Sequence, residues 1–349
     1  MRLLVRTPNW LGDLVMALPV FTALRAAFPG AVIAAGAPAA FEPVLRAVGS
    51  VDEVWPLDRG GSGLRRLRAE AETLGAGRFD RVVLLPNSFG SAWVAWRAGI
   101  PERWGYAGRG RGWLLTRAVA RPRSRPPLHL TAYYQALVTG LGLEPAAPVP
   151  RLAPTARMRT RATALLETAG ADLDRPIVGI APGAAYGHAK RWLPERYAAV
   201  AARLARERGA QVLLVGSPHD RDAGHAIESA LARETPAGGR GVVNLIGRTD
   251  LTQLVGLLAR CRSFISSDSG AMHLAAALGV RVTALFGPTD ERLTAPVGSH
   301  AVLSHPVRCR PCFFRDCPID HRCMTRITEE QVFRAVTAPL DGAERGAPS

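Results

Sequence analysis

Lysine is nearly absent from this 349-residue chain: of 44 basic residues, only Lys190 is a lysine. A composition that writes arginine at every other basic position has kept one ammonium, and a planar guanidinium cannot copy a compact, flexible point charge in a tight site. Lys190 is therefore a site candidate before any motif is considered, with a solvated loop residue as the plain alternative. Long apolar runs are also missing. None reaches the ~18 residues that span a bilayer, and the opening MRLLVRTPNW lacks the apolar core and cleavage site of a secretory signal. The expected location is the cytoplasm, where the five cysteines are not expected to form disulfides.

No repeat of solenoid period is present. The glycine strings 59–63 and 108–112 do not lead from a strand into a helix, so they read as loops rather than dinucleotide fingerprints. Asp172 and Asp174 form a DxD-like string that precedes a strand instead of ending one, which makes them turn residues rather than ligands of a divalent ion. No recognition helix, RNA-binding aromatic signature or zinc-finger spacing is present. Yet the net charge is +15, and residues 101–125 hold seven arginines against Glu102. This stretch should attract polyanions, with phosphorylated lipid headgroups as good a fit as nucleic acid; chain-wide arginine bias is the bland account.

What is present is alternation. Apolar runs at 2–7, 31–36, 52–57 and 81–86, then at 176–182, 211–216, 241–246, 263–267 and 281–287, alternate with helix-period segments such as 14–28, 194–208 and 271–278. The pattern predicts α/β architecture: two Rossmann-like domains with parallel sheets. The proline-rich stretch within 143–175 marks the break, giving expected domains of 1–160 and 161–325, a helix at 326–340 returning to the first domain, and a disordered tail at 341–349. Ligands of such sheets collect at the carboxyl ends of strands, which in a two-domain chain means the cleft between domains.

Four places can carry chemistry. Asp13 lies where the first strand turns into a helix, either as an N-cap or as a carboxylate able to take a proton from a sugar hydroxyl. The loop after 176–182 offers amides at Gly183, Ala184 and Ala185, then Lys190, as a diphosphate seat. Strand 263–267 runs into Asp268, Ser269 and Gly270 at a helix start that can hold phosphate oxygens; His273 either reaches the same anion or sits on the surface, and Ser269 is otherwise a plain N-cap. Cys309, Cys312, Cys317 and Cys323 follow a C-x2-C-x4-C-x5-C spacing around His321, of which only the first pair has zinc-like spacing. Free thiols or a structural metal clip both remain open there, and Cys261 reads as core.

The segments RTPNWLGDLVMALP, LLPNSFGSAWVAWRAGIPERWGY, PGAAYGHAKRW and SSDSGAMHLAAALGVRVTALFGPT resemble glycosyltransferase family 9, the ADP-heptose:lipopolysaccharide heptosyltransferases, over about residues 1–340. PNWLGD, LPNSF and PGA…AKRW resemble the branch that adds the second heptose. The resemblance implies a GT-B fold, two Rossmann-like domains facing across a cleft. It implies an ADP-heptose donor, a lipid A–inner core acceptor at the cytoplasmic face of the inner membrane, peripheral association there, no nucleic acid partner, no cofactor and no metal. It places the catalytic base on Asp13, the diphosphate-binding lysine on Lys190, and the second-domain phosphate motif on Asp268, Ser269, Gly270 and His273. Where the branch adding the first heptose has threonines before this lysine, the present chain has Ala185 and Tyr186. Backbone amides such as that of Gly183 would then replace the hydroxyls. Asn9, Asn87 and Ser88, at strand ends of the first domain, are candidates for acceptor sugars, and Asp220 for the donor's ribose or adenine; loop-structural roles compete for each. A nucleotide-sugar epimerase of similar fold and a non-enzymatic polyanion binder are the competing readings.

Overall fold

The computed structural model describes residues 1–57, 63–234 and 241–343. The chain forms two compact units, Met1–Ala153 and Pro154–Ser349.

In the first unit, β1 (Arg2–Arg6), α1 (Leu11–Ala27), β2 (Val32–Ala37), α2 (Glu42–Arg46), β3 (Glu53–Pro56), α3 (Gly63–Ala76), β4 (Arg81–Leu84), α4 (Phe89–Arg97), β5 (Glu102–Tyr106), β6 (Arg117–Val119) and α5 (Leu130–Gly140) follow one another. The strands lie in the order β3-β2-β1-β4-β5-β6, every ladder parallel. Strand order reverses between β1 and β4, so the loops leaving these two strands flank the switch point where open α/β sheets bind ligands. Helix α1 starts there. It is apolar nearly all round, burying Leu14 through Leu24 except Thr22, as a helix covered on several sides must.

The second unit repeats the design. It contains α6 (Ala156–Thr168), β7 (Ile177–Ala181), α7 (Pro194–Arg208), β8 (Gln211–Leu214), α8 (Arg221–Glu234), β9 (Val242–Asn244), α9 (Leu251–Leu258) and β10 (Cys261–Ser267). Then come α10 (Gly270–Ala277), β11 (Arg281–Phe286), α11 (Glu291–Thr294), β12 (His300–Ser304), α12 (Arg322–Thr325) and α13 (Glu329–Ala343). Its sheet runs β12-β11-β10-β7-β8-β9, again wholly parallel, with the switch between β7 and β10. Helix α7 shows why the local sequence folds as it does: Pro194 opens it, Tyr197, Val200, Ala201 and Leu204 make one buried face, and Gly209 ends it in the left-handed conformation at φ 58°. Burying such side chains contributes roughly 1.5–3 kcal/mol for each large one.

Three expectations change. The break falls between Ala153 and Pro154 rather than after residue 160, because Thr155 accepts the Met158 N–H and thereby starts α6, which packs against α9 of the second unit. The helix expected to return to the first domain instead buries Val332, Phe333 and Val336 in the second unit's core beside α7, with Arg203 stacked 3.8 Å from the Phe333 ring centre. That helix also continues to Ala343, while 344–349 of the expected tail, and 59–62 of the first glycine string, lie outside the described residues.

Strands β5, β6 and β12 were not expected from the sequence. In β5, Glu102 and Arg103 obscure the apolar pattern, yet Trp104 and Tyr106 are buried. The arginine-rich stretch is accordingly only partly a surface. Arg103 donates to the carbonyls of Ile100, Pro101 and Leu114, and Arg111 is fully buried.

Candidate active site

In the second unit the two loops at the switch point bring together residues far apart in sequence. Lys190 follows β7, Asp268 follows β10, and Lys190 Nζ lies 2.6 Å from Asp268 Oδ2. Both side chains are about nine-tenths buried, at 11% and 9% exposure, so the pair sits largely out of water. Thr289, in the loop leaving β11, donates to the same Oδ2 at 2.8 Å. The ammonium also lies 4.8 Å from the Tyr186 ring centre, within reach of a cation–π contact. Lys190 is thus not a solvated loop residue.

The loop carrying it is braced from behind by the cysteine-rich segment. Tyr186 Oη donates to the Phe313 carbonyl at 2.8 Å, the Ala189 N–H donates to the Arg315 carbonyl at 2.8 Å, and His321 Nε2 lies 2.6 Å from the Ala189 carbonyl. Gly187 is required by this contact, since a Cβ there would collide with the Arg315 backbone. All five cysteines are free; Cys309, Cys312, Cys317 and Cys323 line one cavity of about 390 Å³ on the far side of Ala189. Among the described residues no group of three or more His, Cys, Asp or Glu is arranged to hold a metal ion.

Ser269 occupies the N-cap position of α10, but its side chain makes no capping hydrogen bond; its hydroxyl meets Ser266 Oγ at 2.9 Å instead. Gly270 opens the helix. His273 is buried at 4% exposure, which removes the surface reading. Gly183 and Asp220 meet one another: a Cβ on Gly183 would overlap the Asp220 carboxylate. That carboxylate accepts from the Ser217 N–H (2.9 Å) and Oγ (2.7 Å) and pairs with Arg191 at 3.5 Å, so much of its hydrogen-bonding capacity is spent on the loop after β8. Asp172 Oδ1 accepts the Asp174 N–H at 3.1 Å, forming the turn before β7.

In the first unit the switch point gathers the remaining candidates. The N-cap of α1 is Trp10, so Asp13 is not a cap but the third residue of the helix, half-buried in its first turn, where the helix dipole favours a carboxylate. It is close enough to α5 that, after burial, its charge is the next cause holding the Tyr134 phenol above the usual tyrosine range. Asn87 Nδ2 donates to Tyr133 Oη at 2.8 Å, and Tyr106 Oη donates to the Tyr133 carbonyl at 2.7 Å. Ser88 caps α4, its Oγ accepting the Ser91 N–H at 3.2 Å.

A cavity of about 500 Å³ opens beside these loops, and Asn9, Trp10, Ser88, Ser91, Arg6 and Arg66 are among its lining residues. Asn9 and Ser88 share this cavity, whereas Asn87 is turned onto Tyr133. Beneath its wall lies Arg111, whose guanidinium donates to the carbonyls of Pro86 (2.6 Å), Ser88 (3.1 Å) and Tyr106 (2.9 Å) and to Ser91 Oγ (3.1 Å). Burial, with neighbouring Arg121 adding, lowers its pKa to about 10, which leaves it cationic at neutral pH. The aromatic pair Tyr133 and Tyr134, Thr289 and Arg111 escaped sequence reasoning. Thr289 had one available signal, its place just beyond a parallel strand.

Known proteins resemble this chain in sequence and in fold. The family described as Glycosyltransferase family 9 (heptosyltransferase) matches residues 67–322. Lipopolysaccharide heptosyltransferase 2 of Salmonella typhimurium is 38% identical over 307 residues, covering 86% of this chain and 87% of that protein. The protein of the same name from Escherichia coli K12 is 37% identical with the same coverage. The solved structure of E. coli ADP-heptose lps heptosyltransferase II superposes with a TM-score of 0.81 at 33% identity, covering 99% of this chain and 100% of that one.

Proposed function

This chain belongs to glycosyltransferase family 9, the heptosyltransferases, and we propose that it transfers heptose from ADP-L-glycero-D-manno-heptose to the first heptose of the lipopolysaccharide inner core. It is a glycosyltransferase, and its curated relatives act in heptose addition to lipopolysaccharide. The observation carrying the site assignment is the Lys190–Asp268 pair at the second unit's switch point, beside the N-terminus of α10. The donor's diphosphate is seated there. Lys190 and the α10 amides take up charge as ADP leaves, the service a metal ion gives in other transferases.

The acceptor sugar is held in the first unit, in the cavity lined by Asn9 and Ser88, with Asn87 steadying Tyr133 beside it. Asp13 takes the proton from the attacking hydroxyl as the bond to the anomeric carbon forms and the bond to the diphosphate breaks. A single displacement inverts the anomeric centre. Asp220 and Gly183 shape the β7–β8 end of the donor seat; a role for Asp220 towards ribose or adenine is part of this proposal. No described helix is long and apolar enough to cross a membrane, and we place the enzyme peripherally on the cytoplasmic face of the inner membrane, where its lipid-linked acceptor lies.

The test is mass spectrometry of an acceptor carrying one inner-core heptose, incubated with purified protein and a panel of nucleotide sugars. Addition of one heptose from the ADP donor is expected. Conversion of ADP-heptose without acceptor would identify an epimerase, and salt-sensitive DNA binding without ADP-sugar affinity would identify a polyanion binder.

A further inference from the structure

Besides Trp10, three large aromatic rings among the described residues stand in solvent on the first unit. Phe89 opens α4, Trp96 lies near its end, and Trp113 projects from the short turn between β5 and β6; their exposures are 43%, 46% and 70%. They form one group, with Trp113 ring centres 6.4 Å from both Phe89 and Trp96. Isolated exposed aromatics need no explanation, but a contiguous cluster marks an interaction surface.

Charge selects the partner. From Phe89 to Arg125 the chain carries eight arginines and one acid, Glu102, which is itself paired with Arg81 at 2.6 Å. Arg97 directly follows Trp96, Arg109 lies four residues before Trp113, and both are exposed. Tryptophan and phenylalanine prefer the boundary between headgroups and acyl chains, and arginine beside them draws anionic headgroups. Position adds a third reason. Phe89 sits between Ser88 and Gly90, two residues that line the first unit's cavity, so the cluster borders the place assigned to the acceptor sugar.

We infer that Phe89, Trp96 and Trp113, flanked by Arg97 and Arg109, dock on an anionic phospholipid surface and bring the cavity to sugars projecting from that surface. The inference deepens the proposed function, because a lipid-anchored acceptor is presented from a bilayer, but vesicle binding is measured without turnover. The two can therefore fail separately.

The experiment is flotation of the full chain with vesicles of phosphatidylcholine alone and with phosphatidylglycerol added. Wild type and Trp96→Ser/Trp113→Ser are compared, with thermal midpoints confirming that both fold. Wild type should bind the anionic vesicles and release in high salt, and the double variant should lose about tenfold or more in partitioning. Arg97→Gln/Arg109→Gln should bind more weakly and with less salt dependence. Transfer onto a water-soluble, deacylated acceptor should match wild type in both variants, while transfer onto the same acceptor in vesicles falls. Equal vesicle binding by wild type and the tryptophan variant overturns the inference, as does absence of wild-type binding. A wild-type dimer that the tryptophan substitutions dissociate, without any vesicle binding, would assign the cluster to a second copy of the chain and overturn it too. Vesicle binding by a protein that transfers no sugar to the soluble acceptor would instead remove the functional reading and leave this one standing.

Discussion

Lys190 Nζ and Asp268 Oδ2 are 2.6 Å apart although 78 residues separate them in sequence, because β7 and β10 are neighbours in the sheet, Asp268 sits just past β10, and the loop from β7 to α7 brings Lys190 back to it. The carboxylate fixes the ammonium at the point where a doubly wound sheet receives its ligand. It also accepts from Thr289, so Asp268 is anchored on a second strand end and does not follow the lysine.

Replacing Lys190 by arginine should therefore be harmful although the charge is kept. A guanidinium is larger and offers its donors in a fixed fork, whereas the ammonium fits between Asp268 and the Tyr186 ring and, in the proposed donor seat, would meet a phosphate oxygen. Turnover should fall by roughly 1–3 kcal/mol in activation free energy, and donor affinity by less. Lys190→Ala should be worse in both, and also less stable. Breaking a largely buried pair typically costs about 3–5 kcal/mol, since the remaining carboxylate stays desolvated. Steady-state kinetics and thermal unfolding of the two variants decide this, and an arginine variant with wild-type constants would make the single lysine an accident of composition.

Asp13→Asn should abolish most transfer while sparing ADP-sugar affinity. The residue is the third of α1 rather than its cap, so the amide keeps the helix start and gives up the carboxylate's interaction with the helix dipole, about 0.3–1 kcal/mol of stability. Loss of a general base lowers turnover by about 100-fold to 10,000-fold. Isothermal titration with the donor, run beside product assays, separates the two effects. Near-normal turnover would leave Asp13 a purely structural first-turn acid.

Much of this was legible in the sequence because parallel strands buried on both faces read as near-continuous apolar runs, as Ile177–Ala181 does and as Val282–Phe286 does with Thr283 as its one polar member. Asp268 was legible because it lies directly beyond such a run, Lys190 because it is the chain's single lysine, and Asp13 because it follows the turn out of the first strand. Strand β5 was not, since Glu102, Arg103 and Gly105 interrupt its run. Glu102–Tyr106 pairs along its length with β4 and β6, yet its large buried side chains are Trp104 and Tyr106 alone, with Glu102 paired to Arg81 at its solvent end. Partners supplied by distant elements were equally hidden, since no local pattern says that Tyr133 will meet Asn87 or that Thr289 will meet Asp268. The final helix misled for the opposite reason: its apolar stripe of Val332, Phe333 and Val336 announces burial but does not say against which sheet.

The cysteines should respond unequally to a thiol reagent. Burial pushes the Cys261 thiol up to about 12, so at about pH 8 almost no thiolate forms and the residue should stay unmodified in the folded protein. Cys309 and Cys317 are exposed and should react first. Their modification should lower turnover even though neither touches the proposed donor seat, because Phe313, Arg315 and His321 of the same segment hold the loop that carries Lys190. Transfer should survive EDTA. Peptide mass spectrometry after timed alkylation gives the order of reaction, and loss of activity in EDTA that an added divalent ion restores would overturn the metal-free mechanism.

Gly183 should tolerate no side chain while Asp220 is present. The Cβ of an alanine there would overlap the Asp220 carboxylate, which cannot swing aside without giving up the Ser217 N–H and Oγ and Arg191. Overpacking of this kind costs about 1–3 kcal/mol, and the strain should spread into the loop leading to Lys190. Asp220→Ala alone should also destabilise, by leaving the Ser217 donors and Arg191 without their acceptor. The two losses share a cause, so they should not add: with the carboxylate gone, the alanine at 183 has room, and the double variant should resemble Asp220→Ala. Thermal unfolding of the two single variants and the double variant completes the cycle. Strict additivity would mean that Gly183 is needed for something other than its approach to Asp220, and the donor seat drawn from these two loops would have to be redrawn.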